Sequence, residues 1–266
     1  MASDSPGKTF DREYDQTGDD ERDSSRMTFL EHLDELRKRI IYALYAVVAA
    51  CVVTFIFNAE MYDYLTRYFQ HYGGTLIYTR PMGGFMFSLK IAVLGGLILS
   101  APFVFSQVWL FVAPGLYARE RRVVVPFVFF SSALFFLGAW FAHSIGYPTM
   151  WQFFASYQGD AIKFFPDIDS TFGFYVKIIL GMGLVFQMPV LVYFLSRFGI
   201  VTARFMVAKF KYALLLIVVL AAVITPSGDA VTLMVFTAPM LVLYCVSIVV
   251  AWLFGKRRGS GEEAAG

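Results

Sequence analysis

The sequence predicts an all-α, polytopic membrane protein with six transmembrane helices, the last two short or tightly paired, and both termini on the cytoplasmic side. Three observations carry this. The chain is 58% hydrophobic and only 16% charged, with a mean hydropathy of +0.62, whereas a soluble domain is nearer a quarter charged. Apolar blocks recur at about the 20 residues that a helix needs to cross a hydrocarbon core of about 30 Å. Basic residues are also shared unequally between alternate loops, which sets orientation in a membrane.

Residues 1–27 are polar and mixed in charge, which predicts a disordered cytoplasmic tail with no cleavable signal peptide. The stretch TFLEHLDELRKRI, residues 28–40, packs six charged side chains directly before an apolar run. Thr28 and Glu31 fit the T-x-x-E capping box, so a helix is expected to start there, and Phe29, Leu33, Leu36 and Ile40 form one apolar stripe. The first span is expected at 40–58 and the second at about 86–110, with Gly95, Gly96 and Pro102 inside it. Between the second and third spans, VWLFVAPGLYARERR (108–122) contains a helix break at Pro114 and Gly115 and a lone carboxylate, Glu120, among Arg119, Arg121 and Arg122.

The third span is expected at 124–147 and the fourth at 173–197, with Gln187 and Pro189 near the middle of the fourth. Outer segments 59–85 and 148–172 are aromatic-rich, as interfacial belts are. Lys90 and Lys177 are expected to snorkel from outer helix ends, and Asp160, Lys163, Asp167 and Asp169 to sit in a solvated loop. The fifth span, 209–225, is short: YALLLIVVLAAVI amounts to roughly 20 Å of helix. Asp229 follows a turn and is placed to cap the sixth span, 230–254. The domain reading is a tail at 1–27, a six-helix membrane domain at 28–256 and a cytoplasmic tail at 257–266.

With the N-terminus inside, the 22 Lys and Arg divide 17 to 5 in favour of the cytoplasmic face. The net charge of +2 is therefore spread over loop ends that anchor to anionic lipid, and is no signal for nucleic acid. Cys51 and Cys245 both fall in apolar spans, and no disulfide is expected. His32, His71 and His143 have no metal-ligand spacing, and HExxH, GxSxG and Walker motifs are absent, so neither cofactor nor metal nor enzymatic chemistry is expected.

Glu35 admits two readings. Asp34 with Lys38 and Glu35 with Arg39 are i,i+4 pairs that simply solubilise a helix end, for about 0.2–0.5 kcal/mol each. Alternatively, Glu35 and Glu120 are two accessible acids on one face of the membrane, waiting for a cationic partner.

The stretches HLDELRKRI, LSAPFVFSQVWLFVAPGLYARERR, FQMPV and ITPSGDAVTLMVFTAPM together resemble the TatC family, the polytopic receptor subunits of the twin-arginine protein translocase. The resemblance covers residues 28–256. It implies binding of the twin-arginine signal peptides of folded cargo and assembly with single-span TatA/TatB-type subunits in the inner membrane of a prokaryote. It also implies self-association and use of the proton gradient. The same resemblance makes Glu35 and Glu120 the receivers of the arginine pair, with Phe111 and Pro114 beside them.

Gln187 departs from the glutamate common at its position in the family, so it either bonds one helix to another or contacts a partner subunit, with Pro189 next to it. Ser227 and Gly228 stand where the family commonly has a second proline and a shorter turn. A secondary transporter is the competing class, and would call for an internal repeat and charged mid-membrane residues.

Overall fold

The computed structural model describes the backbone of residues 11–73, 75–112, 121–157, 165–225 and 229–255, and side chains from residue 31 onward except at 73 and 121–124. Among the described residues there is no strand beyond one isolated bridge, between Ile77 and Asp167. Ten α-helices are described: α1 (Asp11–Ile56), α2 (Asn58–Gly73), α3 (Gly83–Val112), α4 (Arg121–Phe141), α5 (Tyr147–Ala155), α6 (Ile168–Val185), α7 (Met188–Arg197), α8 (Ala203–Ala208), α9 (Phe210–Ile224) and α10 (Ala230–Phe254).

Five helical segments are long and apolar enough to cross a membrane: Glu31–Ile56, Gly83–Val112, Val125–Ala155, Ile168–Arg197 and Ala230–Phe254. α9 is a sixth apolar helix of 15 residues, which at 1.5 Å per residue rises only about 22 Å. The short fifth segment of the sequence therefore remains short in the fold.

Several expectations are corrected. α1 does not begin at Thr28; its backbone is helical from Asp11. Only Gly18 among the strong breakers interrupts that stretch and no proline does, so a favourable cap at Thr28 has no upstream stop to act on. The third membrane segment also runs on to Ala155. A π turn over Ala142–Gly146 joins α4 to α5 without ending the helical path.

Pro189 divides the fourth segment. It has no N–H to offer the carbonyl of Val185, and the chain turns at Phe186 and Gln187 between α6 and α7. Gly95 and Gly96 of α3 face neighbouring helices. They let α3 lie against α1, where a Cβ at Gly96 would sit 2.7 Å from the Cys51 backbone and one at Gly95 would meet the Thr54 methyl.

At the end of the bundle where α1 stops, part of the aromatic set turns inward, while Tyr64, Tyr78, Phe85, Tyr157 and Phe165 stay exposed. Phe69, Phe87, Tyr147, Trp151 and Phe172 are at most 2% exposed. Their rings meet edge to face or stacked, with Phe87 and Phe172 at 5.1 Å and Tyr147 and Trp151 at 5.5 Å. His143, in the π turn, ties three elements there. Tyr64 lies 3.0 Å from its Nε2, Tyr175 lies 2.9 Å from its Nδ1, and the ring of Tyr68 stacks on it at 4.2 Å.

The residues expected in a solvated outer loop hold helix ends. Asp167 caps α6 by accepting from the Ser170 N–H (3.0 Å) and also accepts from the Thr79 hydroxyl (2.8 Å). Burial pushes the Asp167 carboxyl up, but the bonds from Ser170 and Thr79 outweigh it and hold the group below the usual aspartate range. Asp169, in the first turn of α6, pairs with Lys90, so Lys90 is bound to protein instead of snorkelling. Lys177 lies over the Phe174 ring at 5.8 Å. Asp160 and Lys163 lie outside the described residues.

Candidate functional site

The site is built at the opposite end, on the turn of α1 that carries the charged run. Glu35 Oε1 is 3.1 Å from Arg39 Nη2 one helical turn later. Their side chains are 31% and 28% exposed, so both are reachable from solvent yet partly shielded. The pair next to them, Asp34 with Lys38 at 2.7 Å, is 52% and 64% exposed and sits on the outer side of the helix. The two pairs are alike in spacing but not in surroundings, because α3 packs along α1 on the Glu35 side.

Two contacts fix that side. Arg39 Nη1 donates to Gln107 Oε1 of α3 at 3.4 Å, and Gln107 is buried. His32, one turn before Glu35, stacks on Phe111 with ring centroids 4.4 Å apart and planes 20° apart. Phe111 of α3 is thus placed against α1 one turn before Glu35. Glu120 and Pro114 lie in segment 113–120, outside the described residues.

Arg39 also lines an apolar groove of about 970 Å³ between α3 and α4, together with Pro102, Leu110, Val125, Phe129 and Phe136, with Ser106 and Ser132 as its hydroxyls. Pro102 therefore borders this groove. Apart from Arg39 and the two serine hydroxyls its lining is apolar, which suits a ligand that is apolar along most of its length.

Deeper in the bundle, Gln187 is buried between α6 and α7 and donates from Nε2 to the Ser131 carbonyl of α4 at 2.9 Å, while its Oε1 has no hydrogen-bond partner among the described residues. Ser131 in turn receives the Trp109 indole N–H at 2.8 Å, and Trp109 stacks on Phe194 at 4.3 Å. The helix-to-helix alternative for Gln187 is the geometry observed. Pro189 is buried in the first turn of α7 and contributes the bend. Asp229 caps α10, with Oδ2 accepting from the Thr232 N–H at 2.7 Å.

Sequence reasoning passed over Gln107, His32, Trp109 and Ser131. Gln107 carried a usable signal, since a polar amide within an apolar helix tends to face protein. His32 and Trp109 carried none, because which aromatic ring meets which depends on how α1 and α3 pack. Among the described residues no three His, Cys, Asp or Glu side chains are grouped to hold a metal.

The family described as Sec-independent protein translocase protein (TatC) matches residues 31–239. The chain is 42% identical over 247 residues to a Sec-independent protein translocase protein TatC of Koribacter versatilis, covering 90% of each chain. It is 37% identical over 220 residues to the Helicobacter pylori strain J99 protein of the same name, covering 83% of this chain and 87% of that one. A crystal structure described as the twin arginine translocase receptor TatC in DDM superposes with a TM-score of 0.73 at 28% identity, covering 83% of this chain and 99% of that one. A long helix bundle with a half-shielded acid at one end, and these likenesses over nearly all of its length, lead to one conclusion: the chain belongs to the TatC family of multi-pass membrane proteins, components of the Sec-independent protein translocase.

Proposed function

We propose that the Glu35 end of the molecule receives the twin-arginine signal peptides of folded cargo proteins, with Glu35 and Glu120 each docking one guanidinium. The observation that carries this is that Glu35 already holds a guanidinium, that of Arg39, which also lines an apolar groove. An incoming arginine takes the place of an internal one, and the apolar stretch that follows it in a signal peptide runs along the groove walled by Leu110, Val125, Phe129 and Phe136. The internal competitor keeps affinity modest. The same docking role makes the chain a receptor, working with single-span TatA/TatB-type subunits in the inner membrane of a prokaryote, N-terminus inside.

Arginine is preferred to lysine because a planar guanidinium donates two parallel hydrogen bonds to a carboxylate and an ammonium does not. Each charge-assisted contact contributes about 1.5–3 kcal/mol when partly shielded. The test is binding of Arg-Arg and Lys-Lys signal peptides to the purified protein and to its Glu35→Gln, Glu120→Gln double variant. The Arg-Arg peptide should bind the unaltered protein about tenfold or more tightly than either the Lys-Lys peptide or the double variant allows. Equal affinities in a correctly inserted protein would overturn the assignment.

A further inference from the structure

At the far end of the bundle, α2 begins two residues after α1 stops, at the level where the first membrane segment ends. Leu65 and Phe69 point into the aromatic core, while Glu60, Asp63, Tyr64, Arg67 and His71 form one exposed stripe at helical spacing. This stripe borders a cavity of about 440 Å³ that also includes Tyr68 and Tyr72. The charges in it are ordered along the helix, two acids in the first half and a guanidinium and an imidazole in the second.

Asp63 and Arg67 are one helical turn apart, a spacing at which opposite charges ordinarily meet. Yet none of Glu60, Asp63 and Arg67 has an ion-pair partner among the described residues. The ring of His71 meets Tyr72 edge-on. Immediately before the stripe, Phe55, Ile56 and Phe57 are 50%, 72% and 57% exposed. Side chains that apolar belong against acyl chains, so the stripe lies at the depth of lipid headgroups.

From this arrangement we infer that the α2 stripe is a binding site for the headgroup of a zwitterionic aminophospholipid, one bearing a primary ammonium and a phosphate diester. The ammonium lies between Glu60 and Asp63 and over the rings of Tyr64 and Tyr68, where N–H donors meet carboxylates and the cation meets aromatic faces. The phosphate lies toward Arg67 and His71, which supply donors to its oxygens. A headgroup dipole set against the stripe dipole satisfies both halves at once. A phosphoglycerol headgroup lacks the cation and is repelled by the acids, and a trimethylammonium headgroup has no N–H to give them.

The site is independent of the peptide dock, and its test does not involve signal peptides. The full chain is purified, exposed to equal amounts of phosphatidylethanolamine and phosphatidylglycerol in mixed micelles, and the retained lipids are counted by native mass spectrometry. The expected result is about tenfold preferential retention of phosphatidylethanolamine, the scale of one charge-assisted contact. That preference is expected to be lost in Asp63→Asn and in Arg67→Gln. It is also expected to be lost in the exchanged pair Asp63→Arg with Arg67→Asp, which keeps the net charge, and to be kept in Asp34→Asn at the opposite end. Monodisperse elution of each variant shows that it is folded. Equal retention of the two lipids by the unaltered protein, or an undiminished preference in the exchanged pair, overturns the site. Displacement of the lipid by an equal concentration of water-soluble phosphoethanolamine overturns its assignment to a membrane lipid.

Discussion

The two ends of this bundle are built from the same residue types and behave in opposite ways. At the α2 end, aromatic rings close on one another: Phe69, Phe87 and Phe172 are fully buried and His143 is held between Tyr64 and Tyr175. At the Glu35 end, α1 meets α3 through one stacked pair, His32 with Phe111, and through Arg39, which pairs with Glu35, reaches Gln107 and lines an open groove of about 970 Å³. Burial of apolar area makes the closed end the anchor of the fold. The open end keeps its polar groups half-shielded, which contributes little to stability and leaves them ready to exchange partners.

That contrast is broken or sharpened most by Phe172→Ala. Deleting a ring that touches Phe69, Phe87 and Tyr175 should cost about 3–5 kcal/mol, read as a large fall in thermal unfolding temperature in detergent. A loss no greater than that of a surface substitution would mean that the aromatic end is not the anchor. Gln187→Glu comes next. It removes the donor to the Ser131 carbonyl and sets an acid against it, for an expected loss of about 1–3 kcal/mol, while affinity for signal peptide stays unchanged. If peptide binding collapses instead, the groove and the Gln187 link are one unit.

A smaller effect is pH-dependent. Asp167 is held below its ordinary range by bonds from Ser170 and Thr79. Its contribution is therefore full above the unfolded aspartate pKa, near 4, and is lost as pH falls through the lower folded value. Scans at successively lower pH below 5 should show the unaltered protein losing stability relative to Asp167→Asn, with no relative change between pH 5 and 8. The smallest stability effect belongs to Glu35→Gln, expected within about 1 kcal/mol because its ion pair is partly solvated. A large destabilisation there would make Glu35 a structural residue and weaken its reading as a dock.

Much of this was legible from residue order. Long apolar runs marked the membrane segments and Asp229 marked a helix start, because each acts through its own backbone, whereas the bend at Pro189 was not foreseen within the fourth span. The start of α1 was misread at Thr28, since a capping signal is permissive and the chain before it was already able to be helical. Asp167, Asp169 and Lys90 were assigned to water because their partners lie 79 to 88 residues away in sequence.

By itself, the sequence determined that the chain is helical, lives among lipids, carries Glu35 in a charged turn before a membrane segment, and belongs with the TatC family. Only the tertiary structure decided that Glu35 faces α3 while Asp34 faces solvent, that Gln107 and Phe111 complete its surroundings, and which aromatic residues of the other end form a core and which stay exposed. The physical reason is that span and propensity are local properties of consecutive residues. Shielding, stacking and pairing depend on which helix faces are pressed together, and glycines such as Gly96 set how closely.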